Sequence, residues 1–179
     1  MSTFDTVFPI LLRQEGGYVN NPHDPGGITN LGVTKRVWEA WVHHPCGDAD
    51  MRALIPSVVA PLYRVQYWNG IGGDALSPSI ALCVFDFAVN SGVARAARYL
   101  QSIVGVTQDG HIGPATLRAL QQWITTHSLS AFIQRYMNDR RSFYKGLPTF
   151  GEFGRGWLRR CDDIETAALK LLNQKETAK

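Results

Sequence analysis

Residues 77–105, SPSIALCVFDFAVNSGVARAARYLQSIVG, form the most apolar stretch of this 179-residue chain. Apolar side chains recur at helical spacing on nearly every side of its first half, in two stripes: Ile80, Val84, Phe87 and Ala88, and Leu82, Phe85 and Val89. A helix that is apolar all round lies in the interior of a globular protein. The sequence therefore predicts a buried central helix that ends at Gly92 and a second helix from about Ala94 to Val104.

Amphipathic helices are predicted on both sides of this segment. The first carries an apolar stripe and ends at Glu15, before a Gly16-Gly17 stop signal. Further helices are predicted at about 35–44, from 56, from Pro114, at about 128–145 and at about 156–173. The turn-rich stretch GITNLGVT favours a small β-hairpin near residues 26–34. The expected fold is mainly α, with one small hairpin.

Composition limits the class of protein. Hydrophobic residues make up 45% of the chain and the net charge is only +3, so the protein is globular and mildly basic. There is no nucleic-acid-binding motif and no run of like charges, and we expect no nucleic-acid partner. The five histidines and three cysteines follow no metal-ligand spacing, and no cofactor fingerprint occurs, so we expect neither a metal nor a cofactor.

Residues 13–34, RQEGGYVNNPHDPGGITNLGVT, contain the candidate chemistry. Glu15 ends a helix whose other face is buried, Asp24 lies in a polar turn, and Thr29 follows five residues later. Two carboxylates at one cleft are the usual apparatus of glycoside hydrolysis, one as acid and one as base or nucleophile. The glycines would let the loop bring Asp24 opposite Glu15 across a sugar. The residues alone leave a second interpretation open, a solvated glutamate followed by an ordinary turn.

The pattern E-G-G-Y-V-N-x-P-x-D-P-G-G-x-T-N-x-G-V-T resembles the N-terminal motif of glycoside hydrolase family 108, the N-acetylmuramidases found largely among phage endolysins. LYRVQYW, FDFAVNSG, LQSIVGVTQDGHIGPATLRAL and GWLRRCDDIETAA also resemble that family, so the likeness covers nearly the whole chain. It implies a lysozyme-like α+β fold with two helical lobes flanking a cleft. It also implies that Glu15 is the catalytic acid, with Asp24 and Thr29 in the second catalytic role.

Other residues are candidates for substrate binding. Asn90 is similar to the asparagine of the Asn-x-Gly motif in phage-type lysozymes, which faces the cleft, although a buried structural asparagine is an equal alternative. Tyr67 and Trp68 are candidates for stacking on sugars, although aromatic residues at helical spacing are commonly core residues. Asp86 lies on the same helix face as Asn90, and we interpret it as a structural partner.

Two departures from the family pattern are small. Val93 follows Asn-Ser-Gly where proline is common, and Asn69 follows Trp68 where aspartate is common. TQDGHIGPATLRAL resembles the D-G-x-x-G-x-x-T motif of peptidoglycan-binding modules. We therefore divide the chain into a catalytic region, residues 1–92, and a helical second lobe, residues 93–179, with a peptidoglycan-binding segment, the two forming one compact domain.

The resemblance predicts a peptidoglycan hydrolase that cleaves the β-1,4 bond between N-acetylmuramic acid and N-acetylglucosamine and so causes bacterial lysis. Two alternatives remain: a lytic transglycosylase, which the presence of Asp24 and Thr29 disfavours, and a non-catalytic wall-binding protein that uses DGHIGPATL. The N-terminus shows no export signal and no membrane span. We expect a monomer without stable membrane insertion that accumulates in the cytoplasm of the producing cell and is released to the wall by a separate holin.

Overall fold

The computed structural model describes residues 2–20 and 27–176. Within these residues the chain forms nine α-helices and one three-stranded sheet, which confirms the predicted, mainly helical α+β class. The helices are α1 (Thr3–Glu15), α2 (Lys35–Val42), α3 (Asp48–Arg52), α4 (Pro56–Tyr63), α5 (Pro78–Ser91), α6 (Val93–Val104), α7 (Pro114–His127), α8 (Leu129–Lys145) and α9 (Phe150–Glu176). The strands are β1 (Val19–Asn20), β2 (Ile28–Asn30) and β3 (Val33–Thr34).

Helix α1 has well-defined ends that fix the position of Glu15. At its start the Ser2 hydroxyl accepts a hydrogen bond from the Asp5 amide (3.1 Å), and the Asp5 carboxylate accepts one from the Ser2 amide (3.0 Å). This reciprocal capping box satisfies two donors that the helix itself cannot pair. At its end Gly16 takes a positive φ of 73°, which stops the helix directly after Glu15.

The small sheet follows α1. All three strands are antiparallel, with β2 in the middle, where Thr29 pairs with Val19 on one side and Thr34 on the other. The predicted hairpin is therefore present as β2 and β3, joined at Leu31 and Gly32. Strand β1 was not predicted, because two residues are too few to show an alternating pattern.

Helix α5 is the centre of the core. Every residue from Ser79 to Ala88 is buried, because α5 packs against α1, α6, α8 and α9. The prediction of a central helix that is apolar all round is confirmed. Its one charged residue in this stretch is Asp86, whose partners are described below.

Helix α9 crosses from the second half of the chain back to the first, and it contacts α8, α5 and α1. It begins at Phe150, before the predicted start near residue 156, and the buried Gly154 leaves room for the Phe150 ring one turn earlier. Ile164 and Ala168 are fully buried, as a core stripe requires. In the described residues no helix is both long and apolar enough to cross a membrane.

Candidate active site

Glu15 lies at the C-terminal end of α1 in a mostly enclosed position. Only 13% of its side chain is exposed, and its Oε1 accepts a hydrogen bond from Nη2 of Arg160 on α9. The partner is 145 residues away in the sequence. The carboxyl group of Glu15, near the start of the chain, is therefore held in place by an arginine near its end.

Arg160 also contacts acceptors other than Glu15. Its Nε lies 3.0 and 3.1 Å from the two oxygens of Asp86, and its Nη2 lies 2.6 Å from Oδ1 of the same residue. Its Nη1 donates to the carbonyl of Gln14 (3.3 Å). Burial alone would lower the pKa of Arg160, but Asp86 and Glu15 raise it, so the guanidinium stays charged.

Asp86 connects this arginine to a second one in the core. It is fully buried, and its Oδ2 lies 2.6 Å from Nη2 of Arg140, which is also fully buried. Burial alone would raise the pKa of Asp86, but Arg140 and Arg160 lower it below its ordinary value. Two carboxylates and two guanidiniums thus form a balanced network, and Asp86 is the structural partner that the sequence predicted.

The β2–β3 hairpin closes over Glu15. The Tyr63 hydroxyl donates to the carbonyl of Leu31 (2.8 Å), which holds the tip of the hairpin in place. A Cβ atom on Gly32 would lie 2.6 Å from Glu15 Oε2 and 2.5 Å from the Tyr63 hydroxyl. Only glycine fits there, and its φ of +73° also favours glycine. Burial, with Glu15 nearby, raises the pKa of Tyr63, so the hydroxyl stays protonated.

Asn90 and Tyr67 border the same site. Asn90 is exposed near the end of α5, and with its amide oxygen turned to Arg160 it accepts from Nε (3.2 Å) and Nη2 (2.8 Å). Tyr67 is half-buried beside Tyr63, with ring centroids 5.8 Å apart, and burial and Glu15 both raise its pKa. Both side chains are placed where a bound sugar could reach them, and their substrate-binding roles stay predictions.

Trp68 is a core residue, which corrects its predicted stacking role. It is fully buried, and its ring packs edge-on against Phe4 and Phe85, with its indole N–H donating to Asp74 (3.1 Å). No face of the ring is open to a sugar. Residues 64–68 form a π-helical turn, whose wider spacing is not evident from the sequence.

The other two predicted catalytic residues are less closely defined. Thr29 is in the middle strand, where its neighbour Asn30 points toward α3 and donates to the carbonyl of Met51 (2.8 Å). Alternation along the strand directs Thr29 to the opposite face of the sheet. Asp24 lies outside the described residues, so its predicted position opposite Glu15 stays a prediction.

The D-G-x-x-G-x-x-T motif has an internal role. The buried side chain of Gln101 donates to Asp109 Oδ1 (2.7 Å) and to the carbonyl of His111 (3.0 Å), and it accepts from the amide of Gly110 (2.9 Å). Hydrogen bonds from Gln101 and the His111 amide lower the pKa of Asp109. The motif therefore anchors a loop to α6 through its own hydrogen bonds.

Sequence reasoning missed Arg160, Gly32 and Tyr63 as parts of the site. Nothing local in the sequence distinguishes Arg160 from its neighbour Arg159. The available signal was Asp86: a carboxylate within an otherwise apolar, buried helix requires a cation from elsewhere in the chain. That signal indicates the need for an arginine or lysine but does not identify which one.

Comparison with known proteins gives matches along nearly the whole chain. The family model described as Glycosyl hydrolase 108 matches residues 8–92, and the one described as Predicted Peptidoglycan domain matches residues 95–162. The solved structure of Brucella abortus SagA is 38% identical, covers 94% of this chain and 95% of that chain, and superposes with a TM-score of 0.79. No curated protein matches. Glu15 lies in the first matched region and Arg160 in the second.

Proposed function

The chain belongs to the glycosyl hydrolase 108 family, and on this premise we propose that it cleaves the β-1,4 bond between N-acetylmuramic acid and N-acetylglucosamine in peptidoglycan. The coarser assignment, a glycoside hydrolase that acts on peptidoglycan, follows from the two family matches. The bond, the role of each residue and lysis of the cell are parts of the proposal.

The observation that best supports the catalytic role of Glu15 is its enclosed and fixed position. It is a carboxyl group with a small exposed area, held by Arg160 and enclosed by the hairpin tip at Leu31 and Gly32. A group that delivers a proton to a leaving oxygen must be held in a defined direction, and the ion pair and the hairpin restrict this side chain from two sides.

The remaining residues of the site take supporting roles in this mechanism. Arg160 positions Glu15 and keeps its own charge because Asp86 balances it. Asn90 and Tyr67 are the candidates for contact with the sugars. Asp24 and Thr29 are proposed to hold the water that attacks the anomeric carbon, as an inverting enzyme requires.

The decisive experiment is the replacement Glu15→Gln, assayed on purified sacculi. The amide keeps the size of the side chain but cannot donate a catalytic proton, so we expect the rate to fall by about 10²–10⁴-fold. Circular dichroism checks that the fold is retained. A folded variant with more than about a tenth of wild-type activity would remove Glu15 from this role.

Product analysis then tests the type of reaction. A hydrolase leaves a reducing end on muramic acid, whereas a lytic transglycosylase leaves a 1,6-anhydro end formed by the muramyl 6-hydroxyl. Asp24→Asn should slow a hydrolase, because the water loses its base. Anhydro products from the wild-type protein would contradict the proposed hydrolysis.

A further inference from the structure

A large groove opens between α6 and α8. Its volume is about 990 Å³, within the range of pockets that hold drug-sized ligands. The groove begins at Ser91 and Gly92, directly after Asn90, which contacts Arg160. It is therefore continuous along the chain with the site around Glu15, yet it is formed by residues of the second half of the protein.

The groove is basic. Three guanidinium groups line it, those of Arg95, Arg98 and Arg135, against one carboxylate, that of Asp139. Asp139 accepts a hydrogen bond from Arg135 (3.0 Å) and so neutralises one of the three charges. The balance leaves two positive charges in the groove without a carboxylate.

The two remaining arginines differ in their surroundings. Arg95 is fixed, because its guanidinium lies 4.7 Å from the centre of the Phe143 ring and its Nη1 donates to the carbonyl of Ser91 (3.1 Å). Arg98 is exposed, and within the described residues it has no ion pair. The groove thus presents one preorganised cation and one cation that is available to a ligand.

The rest of the lining suits a chain with both charged and apolar parts. The rings of Tyr99 and Phe143, whose centroids are 6.1 Å apart, form an apolar wall of the groove. The first turn of α6, at Val93, carries no acidic residue and no side-chain cap, so its amides add to the positive potential. These features favour an anionic ligand of several residues over a neutral sugar.

We propose that this groove binds the carboxylates of the peptide stem of peptidoglycan while the attached sugars occupy the site at Glu15. The inference rests on the proposed function, because it assumes peptidoglycan as the substrate. Unmodified glycan strands carry no free charge in their sugar rings, whereas each peptide stem carries carboxylates, which arginines bind through paired, charge-assisted hydrogen bonds. The groove begins one residue after Asn90, the candidate contact for the sugars, as a side chain that branches from the bound muramic acid would require.

The test compares two substrates and two variants. The substrates are sacculi freed of phosphate-bearing polymers, either native or with their carboxyl groups converted to methylamides. The variants are Arg98→Gln, in the groove, and Arg155→Gln, a matched control at an exposed arginine on α9 that does not line the groove. We expect Arg98→Gln to raise KM on native sacculi by about tenfold with kcat unchanged, because one charge-assisted contact is lost.

On methylamidated sacculi the wild-type protein and Arg98→Gln should have the same, higher KM, since no carboxylate remains to be bound. Arg155→Gln should match the wild type on both substrates. Asp139→Asn should have the opposite effect and lower KM on native sacculi, because it removes the negative charge that neutralises Arg135.

Other outcomes would overturn the inference. If Arg98→Gln changes KM equally on both substrates, or on neither, the groove does not bind stem carboxylates. If its effect appears only on sacculi that retain phosphate-bearing polymers, the ligand is a phosphate and the peptide assignment is wrong.

A wild-type protein inactive on all sacculi would refute the proposed hydrolysis separately. Calorimetric titration with a soluble disaccharide-peptide and its methylamide then decides the groove assignment by itself. Equal affinity for the two ligands would overturn the inference, and weaker binding of the methylamide, with no difference between the ligands in Arg98→Gln, would support it.

Discussion

Replacing Asp86 by asparagine tests whether the buried ion pairs hold the fold and the site together. The carboxylate of Asp86 accepts from both arginines, with one oxygen 2.6 Å from Arg160 Nη2 and the other 2.6 Å from Arg140 Nη2. Asparagine keeps one acceptor and turns an N–H donor toward the other guanidinium. Arg140 would become an uncompensated buried cation, and its Nη1 already has no partner within the described residues.

The expected loss of stability is large. Removing one partner of a buried ion pair costs about 3–5 kcal/mol, out of a total that is about 5–15 kcal/mol for a typical domain. With a urea m value of about 1–3 kcal/mol per molar, the unfolding midpoint should fall by at least about 1 M. Asp162→Asn is the matched control, since Asp162 also pairs with an arginine at 2.6 Å but its side chain is 66% exposed. That variant should lose less than about 1 kcal/mol.

The effect of pH has a defined sign. The pKa of Asp86 is lowered in the folded protein, so its ion pairs stabilise the fold fully above the ordinary aspartate pKa of about 3.9, and this stabilisation is lost as pH falls through the lowered value. The difference in unfolding free energy between wild type and Asp86→Asn should therefore be constant near neutral pH and shrink in strong acid. If Asp86→Asn and Asp162→Asn lose equally little stability at pH 7, the network does not stabilise the fold as argued.

Three further replacements test other parts of the structure. Arg160→Lys should lower kcat by up to about 100-fold with little change in KM, because an ammonium group cannot hold the carboxylates of Glu15 and Asp86 in the same geometry. Unchanged kcat on sacculi would contradict a positioning role. Gly32→Ala should lose both stability and activity, because its Cβ would collide with Glu15. The control is Gly105→Ala: Gly105 has a similar φ of +72°, but a Cβ there would have nothing within 4 Å, so this variant should lose only about 1–2 kcal/mol of stability. Gln101→Leu should lower the free energy of unfolding by about 1–3 kcal/mol, because it leaves buried groups of the D-G-x-x-G-x-x-T loop unpaired; normal stability in urea with lost binding to sacculi would instead make the motif a wall-binding element.

The parts of the fold that the sequence predicted are those with a local physical cause. Helix α1 is evident from its apolar stripe and its terminal glycines, and α5 from its apolar residues on all sides. The hairpin at residues 28–34 follows from turn residues between β-branched positions. Each of these signals lies within one element, so it can be recognised without knowing what packs against it.

The parts that were missed depend on contacts between distant segments. Trp68 was predicted as a candidate for stacking on sugars, with a core position as the alternative, and packing against Phe4 and Phe85 makes it a core residue. Tertiary packing thus decides between two interpretations that the local sequence left open.

The candidate site also combines a residue that the local sequence predicts with one that only a distant contact brings there. Glu15 belongs to the region matched by the glycosyl hydrolase model, but the arginine that holds it belongs to the region matched by the peptidoglycan model. Arg160 in turn needs Asp86, on the central helix, to balance its charge. Without α9, Glu15 would lose its fixed direction and Asp86 would lose one of its two cations. Residues 95–162 therefore supply the arginine that fixes Glu15, and the proposed proton donor and its support form one structural unit.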